Sequence, residues 1–142
     1  LAAAGRVLLV ASTDPVIGVT GPGSWHHQIL EAIGGVPAVG SGAPWMELSV
    51  EDVARLAPDG IILIQPRGVE EAEVGWVGVE EVLERLGPVR RLDIPAVRSG
   101  RVALLDDPLA HTPSTAMVGL AGQMGGVLRA WAEARAVEAA SR

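Results

Sequence analysis

Few side chains in this sequence have the type and spacing that catalysis requires. Ser24, Asp106 and His111 supply the hydroxyl, carboxylate and imidazole of a hydrolytic triad. Ser24, however, lies in Gly-Pro-Gly-Ser-Trp and not in the G-x-S-x-G turn that exposes such a nucleophile. The chain has no cysteine and none of its 11 basic residues is a lysine, which excludes thiolate and Schiff-base chemistry. An enzyme of the small α/β hydrolase kind is therefore the alternative and not the leading hypothesis.

The histidines are the other candidates for chemistry, because imidazole binds metal ions and haem iron. His26 and His27 are adjacent in a predicted helix, where neighbouring side chains point about 100° apart and do not easily serve one ion. We interpret this pair as solvated or cap-region histidines, and we predict no metal site and no cofactor. Gly18, Gly21 and Gly23 precede the same helix but lack the G-x-G-x-x-G spacing, so we interpret them as a tight loop.

Composition limits the partners of this protein. The net charge is −6, and phosphate contacts need a basic surface, so nucleic acid is not expected as a partner. The 142 residues, of which 49% are apolar, fit a single α/β domain over residues 1–142. No apolar run approaches the roughly 20 residues of a membrane span, and no signal peptide is visible. Because the first residue is Leu1, we expect a processed or truncated piece of a longer protein.

Short apolar runs rich in β-formers alternate with segments of helical periodicity. The predicted strands are 6–12, 36–39, 60–65 and 101–106. The predicted helices begin at 24, 49, 79 and 112 and end near 33, 57, 86 and 139. This alternation predicts an α/β fold: a mostly parallel sheet with helices on both faces and a long C-terminal helix. Ligands of such sheets bind beyond the carboxyl ends of the strands. The predicted loops at this edge are 13–24, 66–75 and 106–112, with 41–48 as a further candidate.

Five stretches of the sequence agree in order and spacing with one family. They are Gly-Pro-Gly-Ser-Trp at 21–25, Pro-Trp-Met-Glu-Leu-Ser-Val-Glu-Asp at 44–52, Leu-Ala-Pro-Asp-Gly-Ile-Ile-Leu-Ile at 56–64, Ile-Pro-Ala-Val-Arg-Ser-Gly-Arg-Val at 94–102 and Asp-Asp-Pro at 106–108. Together they resemble the C-terminal lobe of the periplasmic substrate-binding proteins of cobalamin, ferric-siderophore and haem ABC importers. The resemblance covers nearly the whole chain. It implies one lobe of a two-lobed protein, with the partner lobe absent from this chain.

The resemblance implies transport and not catalysis, since the family has no catalytic residues. It makes the chain part of the substrate-binding component of an ABC importer. Such a protein holds cobalamin, a ferric siderophore or a haem-like ligand in the cleft between its lobes and hands it to a permease in the membrane. A periplasmic or extracellular location, with or without a lipid anchor, is implied as well. A degenerate lobe that serves only in protein association is a third hypothesis.

Two residues of the 44–52 stretch have counterparts in the family. Trp45 resembles a tryptophan that lines the ligand cleft, where an indole offers a large, rigid apolar surface to a macrocycle. Its alternative role is to pack on its own lobe. Glu51 matches a glutamate that docks on arginines of the permease. Its alternative role is that of a first-turn acid that interacts favourably with the helix dipole.

The remaining ligand-binding candidates follow predicted strands. Asp106, Asp107 and His111 come after the last strand, where the family has a cleft loop with acidic and arginine groups; His111 is the cationic substitute in this chain. Asp107 is equally well explained as a turn residue before a proline. Arg67 follows the most apolar strand, where it would meet a carboxylate or phosphate of the ligand or pair with a nearby glutamate.

Overall fold

The computed structural model describes residues 2–13, 16–64, 78–105 and 116–140. Within these ranges six strands form one sheet in the order β4-β2-β1-β5-β6, and β3 pairs with the first residues of β1. The strands are β1 (Arg6–Ser12), β2 (Ile17–Thr20), β3 (Val36–Pro37), β4 (Trp45–Leu48), β5 (Gly60–Ile64) and β6 (Val102–Leu105).

The centre of the sheet is parallel, as predicted. β1 pairs with β3 and β5 in parallel, and β5 pairs with β6 in parallel. All five residues of β5 are buried, which is typical of a parallel strand covered on both faces. The predicted α/β architecture is therefore confirmed; β1 has the predicted bounds, and those of β3, β5 and β6 differ from the predicted ones by one or two residues.

Two antiparallel strands occupy segments that we expected to be loops. β2 lies within 13–24 and β4 within 41–48, and they pair with each other from Ile17↔Leu48 to Thr20↔Trp45. β2 also pairs with β1, with an irregularity between the pairs Val10↔Val19 and Ser12↔Gly18. The loop prediction was wrong here because glycine and proline around these segments are local signals, whereas a four-residue strand is stabilised by its neighbours.

Helices cover both faces of the sheet. They are α1 (Trp25–Ala32), α2 (Val50–Leu56), α3 (Val79–Arg85), α4 (Pro95–Arg98) and α5 (Ala116–Ala140), with 3₁₀ turns at Ala2–Ala4 and Gly87–Arg91. α2, α3, α4 and the second 3₁₀ turn pack on one face with Leu8 and Ile61. α1 and α5 pack on the other face with Leu9 and Ile62. The sheet therefore lies between two aliphatic cores.

The last helix presents the predicted apolar stripe to the sheet. Leu120, Met124, Leu128 and Trp131 are all buried in the core that α5 shares with α1. Trp131 packs on Gly60, where a Cβ atom would lie 2.8 Å from the indole Cε3. The predicted helix start at 112–113 lies outside the described residues. Within the described ranges, none of the helices combines the length and the apolar character that crossing a membrane requires.

Candidate functional site

The carboxyl ends of the parallel strands define the edge of the sheet where a ligand is expected. β1 ends at Ser12, β5 at Ile64 and β6 at Leu105, and pairing brings these ends to one edge. Four of the predicted ligand-binding residues follow these strands and lie outside the described residues: Arg67, Asp106, Asp107 and His111. Their placement stays a prediction.

Trp45 is the remaining predicted ligand-binding residue, and the structure describes its position. It begins β4 and pairs with Thr20 of β2. Met46 and Leu48 pack against the core formed with α2, α3 and α4, so the alternating Trp45 and Glu47 side chains lie on the opposite face. Half of the Trp45 side chain is exposed (50%), which leaves much of the indole available for contact.

The indole of Trp45 extends along β2 towards the carboxyl end of β1. A Cβ atom at Gly18 would lie less than 3.0 Å from Cη2 and Cζ2 of the indole and 2.7 Å from Oγ of Ser12. The outer ring therefore occupies the space that a side chain at position 18 would fill. Because Ser12 is the last residue of β1, Trp45 reaches the edge of the sheet that the parallel strands define.

Glu47 belongs to the same exposed surface, and the sequence analysis missed it. It pairs with Gly18 across the two antiparallel strands and is exposed. In an extended strand, residues two apart lie on one face about 7 Å from each other. The alternation in Trp-Met-Glu-Leu was the available signal, but it has this meaning only once the segment is recognised as a strand. An acidic group thus lies beside the indole of Trp45.

Glu51 is exposed in the first turn of α2, three residues after β4 ends. The cap of this helix is made by its neighbours: Asp52 N donates to Ser49 Oγ at 3.1 Å, and Ser49 N donates to Asp52 Oδ2 at 2.9 Å. The hydrogen bonds from Ser49 hold the pKa of Asp52 below its usual value, and Arg55 adds to the effect. The capping box therefore uses the carboxylate of Asp52, while that of Glu51 points to solvent.

The two adjacent histidines are buried, which corrects the expectation of solvated side chains. Exposure is 3% for His26 and 5% for His27. His27 Nε2 lies 3.1 Å from Glu31 Oε1, and the ring of His26 lies 4.0 Å from that of Trp25. Histidine is amphipathic, and the first turn of α1 places both rings against the protein. Among the described residues, no group of three or more histidine, aspartate or glutamate side chains is arranged to hold a metal ion.

A narrow crevice lies beside β1 between β2 and β3, lined by side chains that include Thr20, His27 and Val39. The hydroxyl of Thr20 is buried there without a hydrogen-bond partner. The crevice is too narrow to hold a water molecule, so it is a packing defect of the lobe and not a ligand pocket.

Comparison with known proteins identifies the fold. The chain matches no family model and no curated protein. Among solved structures it resembles the periplasmic haem-binding protein RhuT from Roseiflexus sp. RS-1, with 23% identity over 89% of this chain and 46% of that one, and a TM-score of 0.67. The chain has the fold of one half of a periplasmic binding protein. The α/β lobe predicted from the sequence is thereby confirmed as a fold.

Two further structures match over a similar span. A ferric hydroxamate transport protein from Saccharomonospora viridis DSM 43017 is 18% identical over 86% of this chain and 40% of that one, with a TM-score of 0.63. The periplasmic vitamin B12 binding protein BtuF of Vibrio cholerae is 18% identical over 89% of this chain and 44% of that one, also with a TM-score of 0.63. The chain thus spans about half the length of the proteins it resembles. Two of the three are named as binding proteins, and the third is named for ferric hydroxamate transport.

The described residues also bear on the hydrolase alternative. Ser24 is the N-cap of α1, and its Oγ accepts a hydrogen bond from the backbone N of His27 at 3.1 Å. Leu105, the residue before Asp106, ends β6, and β1 and β5 separate β6 from β2 in the sheet. β2 is antiparallel to β1, so Ser24, which follows β2, lies at the edge of the sheet opposite to the one where β6 ends. Ser24 therefore has a structural role as a helix cap, and the strand that precedes Asp106 in the sequence is not a neighbour of β2.

Proposed function

We propose that this chain is the C-terminal lobe of the substrate-binding protein of an ABC importer. The protein would bind cobalamin, a ferric siderophore or a haem-like ligand in the cleft between this lobe and a second one. The observation that carries the proposal is the match of most of this chain to about half of three proteins that are named for haem binding, ferric hydroxamate transport and vitamin B12 binding. A periplasmic or extracellular location, with or without a lipid anchor, is part of the proposal.

Trp45 supports this function by its placement. A ligand-binding indole must be exposed, rigidly held and close to the edge where the strands end. The indole of Trp45 is half-exposed, lies over Gly18 and reaches Ser12 at the end of β1. Burying an aromatic ring of this size against a macrocycle contributes on the order of 1–2 kcal/mol to binding. We propose Trp45 as the apolar contact of the cleft.

The charged residues proposed for the cleft should affect the binding of carboxylate-bearing ligands and of cobalamin differently. Glu47 puts a negative charge next to Trp45, so the carboxylates of haem or of a carboxylate siderophore need cationic partners elsewhere. Arg67 and His111 are the proposed partners. Cobalamin presents mainly amide groups at its periphery, so its binding depends less on these cationic partners. Arg67→Gln would therefore weaken binding of a carboxylate-bearing ligand and leave cobalamin binding nearly unchanged.

A titration of the full-length gene product with cobalamin, haemin and ferric siderophores, followed by tryptophan fluorescence, tests the proposal. We expect one ligand class to bind, and Trp45→Ala to weaken its affinity about tenfold. Val79→Ala is the matched control, because Val79 is also exposed but begins α3 on the other face of the sheet. If none of these ligands binds the wild-type protein, the proposed function is wrong.

Glu51 is the proposed contact with the permease. Its carboxylate is exposed and is not needed for the helix cap, so its replacement should leave the lobe intact. Glu51→Ala should reduce binding to the cognate permease in lipid nanodiscs and leave ligand affinity unchanged. Glu133→Ala, at another exposed acidic position, on α5, is the control. Equal permease binding by the two variants would contradict the docking role.

A further inference from the structure

We propose that Gly18 is a positioning residue for ligand binding, because its missing side chain sets the orientation of the Trp45 indole; this inference rests on the proposed function. The outer ring of the indole lies where the Cβ of any other residue at position 18 would be. Gly18 touches no ligand itself in this proposal and acts through Trp45.

Backbone conformation does not explain the glycine. The glycines with positive φ among the described residues are Gly5, Gly23, Gly34, Gly42, Gly87 and Gly100, and Gly18 is not one of them. Any residue could adopt the extended backbone of β2, and most would stabilise a strand better than glycine does. A glycine inside a strand often marks a close approach by another group. At position 18 that group is the indole of Trp45, with the hydroxyl of Ser12 beside it.

A second glycine–tryptophan contact in the same sheet shows why this one concerns function. Trp131 packs on Gly60 in the same way, but Trp131 is only 9% exposed and lies among core side chains. That contact serves packing. Trp45 is 50% exposed, so the space at position 18 is occupied by an indole that gains only half of the burial that a core residue has. An exposed aromatic ring held in one orientation is arranged for a partner.

The difference in exposure also predicts what a side chain at position 18 would do. In Gly60→Ala the indole of Trp131 has no space to move into, so the core must distort. In Gly18→Ala the half-exposed indole of Trp45 can rotate into solvent. The side chain of Ser12 can change its rotamer as well, at the cost of the hydrogen bond that its hydroxyl donates to the backbone oxygen of Val16. The lobe should therefore stay folded while the indole loses its position. Gly18→Ala is for this reason a test of orientation and not of folding.

The first experiment needs no ligand. The contribution of Trp45 to fluorescence is obtained as the difference between each protein and its Trp45→Phe counterpart. In Gly18→Ala we expect this component to be more accessible to acrylamide, with a shifted emission maximum. Gly40→Ala is the control, because a Cβ atom at Gly40 would meet nothing within 4 Å. An unchanged Trp45 component in Gly18→Ala would overturn the inference whether or not a ligand is known.

The second experiment measures the affinity of the full-length protein for whichever of cobalamin, haemin and ferric siderophore it binds. Gly18→Ala should weaken binding five- to tenfold, and the double variant with Trp45→Ala should be no weaker than Trp45→Ala alone. In the Trp45→Phe background, where the shorter ring leaves room for the added methyl group, Gly18→Ala should have no effect. Wild-type affinity in Gly18→Ala, or additive losses in the double variant, would overturn the role of Gly18. Failure of the wild-type protein to bind any of the three would instead refute the proposed function, and the ligand role of Gly18 with it.

Discussion

The same substitution at two tryptophans separates a proposed ligand contact from a core residue. Trp131 is 9% exposed, lies on the buried face of α5 and packs against Gly60, whereas Trp45 is 50% exposed at the edge of the sheet. We therefore predict that Trp131→Ala destabilises the lobe much more than Trp45→Ala does, and that ligand affinity responds in the opposite order.

The magnitudes follow from burial. Replacing a buried tryptophan by alanine costs about 4 kcal/mol, because apolar contact is lost and a cavity remains. Trp45 buries about half of its side chain and Trp131 about nine-tenths. Scaling the loss by these fractions gives about 2 kcal/mol for Trp45→Ala, and less in practice because no closed cavity forms at the surface. The gap of about 2 kcal/mol corresponds to roughly 6–10 °C in Tm for a lobe of this size.

Urea unfolding followed by far-UV circular dichroism measures the difference, since the tryptophan signal itself is altered by the variants. The slope of unfolding free energy against urea should be equal in both, so that the midpoints report stability directly. Equal losses at the two positions would mean that Trp45 is a packing residue of its own lobe. The reasoning from exposure would then be refuted, and the proposed cleft contact with it.

Three further predictions concern stability away from the proposed cleft. Gly122→Ala should stabilise α5 by about 0.5–1 kcal/mol, since its Cβ would meet nothing within 4 Å; a lower Tm would contradict this. Ser49→Ala should raise the lowered pKa of Asp52 part of the way to its usual value, as measured by an NMR titration. The contribution of this cap to the stability of the lobe is fully present above the usual carboxyl pKa and is lost as the pH falls through the lowered pKa of Asp52. Arg101 is 7% exposed, and its Nη2 lies 2.6 Å from Glu138 Oε1. Glu138→Ala would leave a buried charge unpaired and should lower the unfolding free energy by about 1–2 kcal/mol, whereas Arg101→Met removes the charge and should lower it much less. Thermal unfolding measures both losses, and the reverse order would refute the pairing argument.

The parallel part of the fold is readable from the sequence because its signals are local. The apolar run from Gly60 to Ile64 can be satisfied only by burial on both faces, and it forms the fully buried β5. Ser49 and Asp52 stand three residues apart before an apolar segment, and they make the capping box that this spacing predicts. In both cases neighbouring residues alone determine the structure.

The antiparallel edge is not readable in the same way, because its strands depend on partners distant in the sequence. The four residues of β2 contain a glycine and follow Pro15, and nothing local distinguishes them from a loop. Their strand conformation comes from pairing with β1 on one side and β4 on the other. The burial of His26 and His27 has the same kind of cause, since the position of α1 on the sheet decides which of its side chains lie inside.

The proposed site shows where this limit matters for function. Trp45 could be singled out because its segment resembles a family, but its partner at position 18 stands far away in the sequence and in a supposed loop. The contact exists only because the register Thr20↔Trp45 places the indole diagonally across β2, over a residue without a side chain. From the neighbouring residues alone, Gly18 would be explained by backbone freedom. In the sheet its φ is not positive, and the glycine instead leaves space for the exposed ring of Trp45. The proposed role of Gly18 is therefore visible only in the register of the strands and not in the sequence around it.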